Sequence, residues 1–197
     1  MLSVFHLFYL LALVFNLSGS STVSANDKSV TTVADPVREE DAERIPWLAN
    51  RKLTWDDFQS TPVAASETVA LTSTSLGLNY KVLNNSIQYQ VTCYFTKHKS
   101  WATMKTDYIL AHEQGHFDIT ELYARKLHQE LQAYVYSSRT YKNDISEIYR
   151  NVVQEKEALQ MAYDRQTDHS RNRRVQAEWQ ERIDQMLLDS GFYAAYP

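Results

Sequence analysis

Tyr108-Ile109-Leu110-Ala111-His112-Glu113-Gln114-Gly115-His116-Phe117-Asp118-Ile119 carries two histidines four apart, with a glutamate directly after the first. At about 100° per residue, Tyr108, Ile109, His116, Ile119, Tyr123, Leu127 and Tyr134 all fall within about 60° of His112 on a helix. Both histidines therefore belong to the apolar stripe, the face expected to be buried. Gln114, Asp118, Glu121, Arg125 and Gln132 fall on the opposite side, where solvent is expected. Two imidazoles on a buried face need a partner, and residues four apart are stacked one turn above another, so one metal ion can serve both. The pattern is HExxH, in which the histidines bind zinc and the glutamate takes a proton from water. It makes His112 and His116 candidate ligands of Zn2+ and Glu113 the candidate general base. The alternative is a pair of core histidines hydrogen-bonded to backbone or to buried tyrosines. Gly115 costs a helix interior about 1 kcal/mol against alanine. It fits a close approach of substrate or backbone, or relief of crowding between packed helices.

A catalytic zinc takes three protein ligands and keeps one position open. Asp118, Glu121 and His128 lie at about 240°, 180° and 160° from His112, so a continuous helix carries them away from the metal. The third ligand must come from a later element, with candidates His169, Glu147, Glu155, Glu157, Asp164 and Asp168. His169 is taken first, because it stands at an expected break between helices, where a side chain can turn inward; as an alternative, it is a charge at a helix C-terminus. Glu157 is second. Tyr163 or Arg165, beside that junction, is the candidate donor to a developing oxyanion.

Outward from the motif, helical periodicity predicts one helix over about 101–137 and two more over about 143–168 and 171–189. Upstream the period is two. Leu76, Leu78, Tyr80 and Val82 alternate with polar residues, Asn84-Asn85 forms a turn, and Ile87, Tyr89, Val91, Cys93 and Phe95 alternate again. A two-residue turn then pairs Val82 with Ile87, Tyr80 with Tyr89, Leu78 with Val91 and Leu76 with Cys93, apolar against apolar throughout. Val69 and Leu71 are out of phase with Leu76, so the chain must bulge or turn near Ser73 to Ser75. Trp55 and Phe58, three apart around two acids, suggest a short turn docked on the core, the acids acting as caps. The expected fold is α+β: a small antiparallel sheet, a hairpin over about 68–96, packed on a helical zincin-like unit.

Residues 1–25 join an apolar run, Leu7 to Phe15, to the small residues Val23 and Ala25. The run is shorter than the roughly 20 residues that span a bilayer, so it reads as a cleaved signal peptide rather than an anchor. The mature chain is then periplasmic or extracellular, without a stable membrane anchor. Residues 26–45 are polar and read as a flexible lead-in to one domain over 46–197. Cys93 is the only cysteine, so no intramolecular disulfide is available, and a small buried hydrophobe is its expected role. With 197 residues, 44% of them hydrophobic, and a net charge of −4, the chain is an ordinary globular protein. No basic patch interleaved with aromatics points to nucleic acid.

Four stretches occur in order: Leu53-Thr54-Trp55-Asp56-Asp57-Phe58-Gln59; Ser100-Trp101; His112 to Ile119 running into Glu121-Leu122-Tyr123-Ala124-Arg125; and Tyr163-Asp164 with Thr167 and His169. Together they resemble the secreted bacterial proteins called domain of unknown function 922, described as predicted zinc-dependent proteases. The resemblance covers about residues 46–190. It implies export, His112 and His116 as metal ligands, Glu113 as the catalytic glutamate and His169 as the third ligand. Ser170 stands where the resemblance leads one to expect glycine.

The function expected from the sequence is a zinc metallopeptidase with a peptide or protein substrate. Two others fit the same features: a zinc amidase acting on cell-wall peptides, and a non-catalytic helical binding module with a structural metal or none. The latter is set apart by its fourth coordination position, which structural zinc sites fill with protein.

Overall fold

The computed structural model describes residues 43–62 and 68–197. The expected signal peptide, and all of the lead-in before residue 43, lie outside the described residues. A strand, β1 (Arg44–Pro46), takes in the last two residues read as lead-in.

The hairpin forms in the expected register. Strands β3 (Thr74–Leu83) and β4 (Ser86–Thr96) pair antiparallel, Leu83 opposite Ser86 and Leu76 opposite Cys93. Asn84 and Asn85 take φ of 51° and 56°, left-handed values that suit a tight hairpin turn and that asparagine tolerates. Leu76, Val91, Cys93 and Phe95 are buried, whereas Tyr80 and Val82 near the tip are exposed. The apolar alternation thus outlasts the core it serves. The expected break falls at Thr72–Ser73. Before it, β2 (Ala70–Leu71) pairs with β5 (Trp101–Ala102) as a separate two-stranded sheet. Buried Ser100 pins this jog: its hydroxyl accepts from Ser73 N at 2.9 Å and donates to the Thr96 carbonyl at 2.8 Å. β1 adds to β4, so the main sheet has three strands in the order β1-β4-β3.

Three α-helices follow among the described residues: α1 (Asp107–Ala133), α2 (Tyr141–Thr167) and α3 (Arg173–Asp189). The first starts later than periodicity predicted, because Trp101–Ala102 is drawn into β5. Thr106 caps it, its hydroxyl accepting from Ile109 N at 3.2 Å. One side of α1 meets the sheet, Phe117 beside Phe95 with ring centroids 5.9 Å apart. Another meets α2 and α3 through Ile119, Leu122, Tyr163, Trp179 and Ile183. Among the described residues no helix is long and apolar enough to cross a membrane.

Much of the polar side of α1 is covered, contrary to the sequence expectation: Asp118, Glu121 and Arg125 are buried, whereas Gln132 is exposed as expected. Other segments cover it and match its charges. Trp47 Nε1 donates to Asp118 at 2.6 Å and Leu53 N donates to the side-chain Oε1 of Gln114 at 2.8 Å. Arg125 pairs with Glu121 at 2.8 Å and Tyr196 donates to the same carboxylate at 2.7 Å. Asp118, Glu121 and Arg125 each find a partner, as burial requires. A helix meant to be covered all round can thus look amphipathic when half its cover is polar.

Trp55–Asp57 forms the expected short turn, as a 3-10 helix, with Phe58 packed on Phe95 at 5.1 Å between centroids. Asp57 caps it, accepting from Thr54 N at 2.8 Å. Cys93 is a free, buried thiol, and burial pushes its pKa up, which keeps it protonated.

Candidate metal centre

The site begins with a close approach of two helices. A Cβ built on Gly115 would lie 2.6 Å from the hydroxyl and 2.9 Å from Cζ of Tyr163 on α2. Only glycine leaves room for that ring, so Gly115 serves helix packing. Tyr163 is fully buried. Its ring stacks on His112, 4.5 Å between centroids and 17° between planes, and meets His116 edge-on at 5.1 Å. Its hydroxyl donates to the His112 carbonyl at 3.3 Å. That hydroxyl, the expected oxyanion donor, is held within the helix pair. The tyrosine is a floor under both imidazoles.

The next residue on α2 turns the other way. Asp164 Oδ1 stands 3.1 Å from His112 Nε2 and 3.0 Å from His116 Nε2. These three donor atoms lie within 4.8 Å of one another. Burial works to raise the Asp164 carboxyl, but the two imidazoles outweigh it and hold the group well below the usual carboxylate range. Burial likewise works to lower His116; the Asp164 hydrogen bond and charge, with Glu113 and Gln160, raise it to about 9. Glu113 is 4% exposed, near enough for its charge to act on His116 and on Tyr163.

The model of a family described as a bacterial protein of unknown function, DUF922, matches residues 16–170. The chain belongs to this family. No curated protein and no solved structure matches it. The matched span takes in the motif, Tyr163, Asp164 and His169.

In this DUF922 chain the group that closes around the histidine pair contains Asp164 rather than His169 or Glu157. His169 stands just outside it, about half exposed, with Nδ1 3.6 Å from Asp164 Oδ1. Glu157 is exposed and pairs with Lys156 at 2.8 Å; Glu155 pairs with Lys126, and Asp168 with Arg171. Asp118 and Glu121 point away, as helical phase required. Asp168, His169 and Ser170 take φ of 49°, 49° and 69°, three left-handed residues in a row. Each non-glycine residue in that region costs on the order of 1–2 kcal/mol. The turn is held by His169 N donating to the Asp164 carbonyl at 2.9 Å and Asn172 N to the Thr167 carbonyl at 2.8 Å.

The donor set, two imidazole nitrogens and one carboxylate oxygen, could hold a metal ion. His112, His116 and Asp164 would hold the ion.

Proposed function

We propose that this DUF922 chain is a metal-dependent hydrolase of peptide bonds, exported by its first 25 residues, with zinc held by His112, His116 and Asp164. The observation that carries the reading is the convergence of three donor atoms from two helices beside the buried Glu113. When bound, the metal supplies a Lewis acid that activates water and polarises a carbonyl. Glu113 follows His112 directly and accepts the proton of the attacking water, then gives it to the leaving amine. Its burial strengthens its electrostatic action on whatever enters. His169 lines the rim, where its ring reaches substrate or the outer face of Asp164.

A catalytic site is favoured over a structural one because three donors converge among the described residues and one side is open: Asp164 is 33% and His169 46% exposed. Structural zinc sites supply four protein ligands. A peptide and a cell-wall peptide amide need the same chemistry, and the exposed rim admits either.

The test joins metal analysis of the purified chain to hydrolysis of a quenched fluorescent peptide library. Glu113→Gln is expected to keep stoichiometric zinc and lose about 10²- to 10⁴-fold in rate, the usual share of a general base. Wild-type protein that takes up no zinc under non-chelating conditions overturns the reading.

A further inference from the structure

Gln160 lies one turn before Asp164 on α2, and its amide touches the back of His116. Oε1 is 2.5 Å from His116 Nδ1, while Nε2 donates to the His116 carbonyl at 2.8 Å and to Thr120 Oγ1 at 3.3 Å. The orientation of this amide is dictated by its neighbours. A backbone carbonyl only accepts, so the NH2 group must face it, which leaves the amide oxygen facing Nδ1. An oxygen there requires a proton on Nδ1. In a neutral ring the lone pair is then confined to Nε2, the atom that faces Asp164.

The network does not end at Gln160. Thr120 Oγ1 donates to the His116 carbonyl at 3.1 Å and meets Thr74 Oγ1, at the start of β3, at 2.7 Å. Thr120 is fully buried. The ring of His116 is thus tied through one amide to its own backbone and to the sheet.

We propose that Gln160 is the positioning residue of the metal centre: it fixes the tautomer and plane of His116 so that Nε2 is presented to the ion. This rests on the metal-site reading above, but the Nδ1 proton is a property of the metal-free chain and is measured separately. Gln160 touches neither the ion nor substrate. Partners of this kind change metal affinity by about 10- to 100-fold when removed. His112 has no equivalent, since its Nδ1 is buried without a partner, so the effect is specific to one ligand.

The experiment uses the full chain and three forms: wild type, Gln160→Ala and Gln160→Glu. Ring-nitrogen NMR of the metal-free protein, at a pH above about 9 where the ring is neutral, is expected to place the proton on Nδ1 of His116 in wild type and Gln160→Glu, and to show it moving towards Nε2 in Gln160→Ala. Competition titration with zinc is expected to give an affinity about 10- to 100-fold weaker for Gln160→Ala and an intermediate one for Gln160→Glu, whose carboxylate accepts the same proton but sets its other oxygen against the His116 carbonyl. A purely structural role predicts that both variants lose affinity in step with thermal stability, and that result overturns the proposal. So does an Nδ1 proton unchanged in Gln160→Ala. If wild type binds no zinc while the Nδ1 signal still depends on Gln160, the positioning role stands and the metal reading fails.

Discussion

Gly115 and Tyr163 set the axial register of α1 against α2, because the tyrosine ring occupies the space that any side chain at 115 would need. That register places Asp164 opposite the two histidines. Gly115→Ala gains about 1 kcal/mol of helix propensity. It also forces overlap at 2.6 Å and 2.9 Å with two atoms of a fully buried ring. Overpacking of this kind costs about 1–3 kcal/mol, so a net loss of stability is expected in urea unfolding, with weaker zinc uptake. Tyr163→Phe removes only the nearer atom and should rescue the alanine variant in part. A double variant whose losses simply add would show that the two positions do not share this contact.

Asp164 and His169 are separated by a direct comparison. Asp164 Oδ1 meets both imidazoles, whereas His169 stands 3.6 Å from that oxygen and meets neither at bonding distance. Asp164→Ala is therefore expected to abolish stoichiometric zinc. His169→Ala should keep most of it and act chiefly on KM or kcat. Inductively coupled plasma analysis of both proteins after dialysis against trace zinc decides the matter; zinc lost from His169→Ala and kept by Asp164→Ala would reverse the assignment.

The two periodicities made the hairpin register and the helix carrying the histidines legible in the sequence, and helical phase correctly removed Asp118 and Glu121. Phase did not choose among acids on α2. Glu157 and Asp164 differ by only about 20° around that helix but by about 10 Å along it. The missing quantity was axial register, and its signal was the small residue between the histidines, which demanded a bulky partner. Tyr163 is that partner and Asp164 its neighbour. The polar cover of α1 stayed hidden because Trp47, Lys52 and Tyr196 lie 71, 66 and 75 residues from their partners on the helix. No local pattern encodes such pairings.

Ser170 offers a stability test at the edge of the site. Its φ of 69° lies where glycine is at ease and serine is not, at the end of a left-handed run. Ser170→Gly relieves about 1–2 kcal/mol of backbone strain and gives back part of it as unfolded-chain entropy. A net gain of about 0.5–1 kcal/mol is expected from urea denaturation, with zinc binding unchanged. A loss would mean that the buried serine side chain contributes more than its backbone costs.

His128 gives the fold a pH dependence of its own. It is buried on α1, with Nδ1 2.9 Å from the Tyr89 hydroxyl and Nε2 2.8 Å from the Gln132 amide. Burial lowers its pKa below the ordinary 6.5. The unfolded chain therefore takes up this proton at a higher pH than the folded chain. The resulting stability is fully present above about pH 6.5 and is lost as pH falls towards the lowered folded value. Replacing the ring by a group that does not titrate removes this contribution. His128→Gln should thus show a shallower fall in unfolding free energy than wild type between about pH 6.5 and 5, whatever its stability at neutral pH. Parallel slopes for the two proteins would assign the acid sensitivity to other groups.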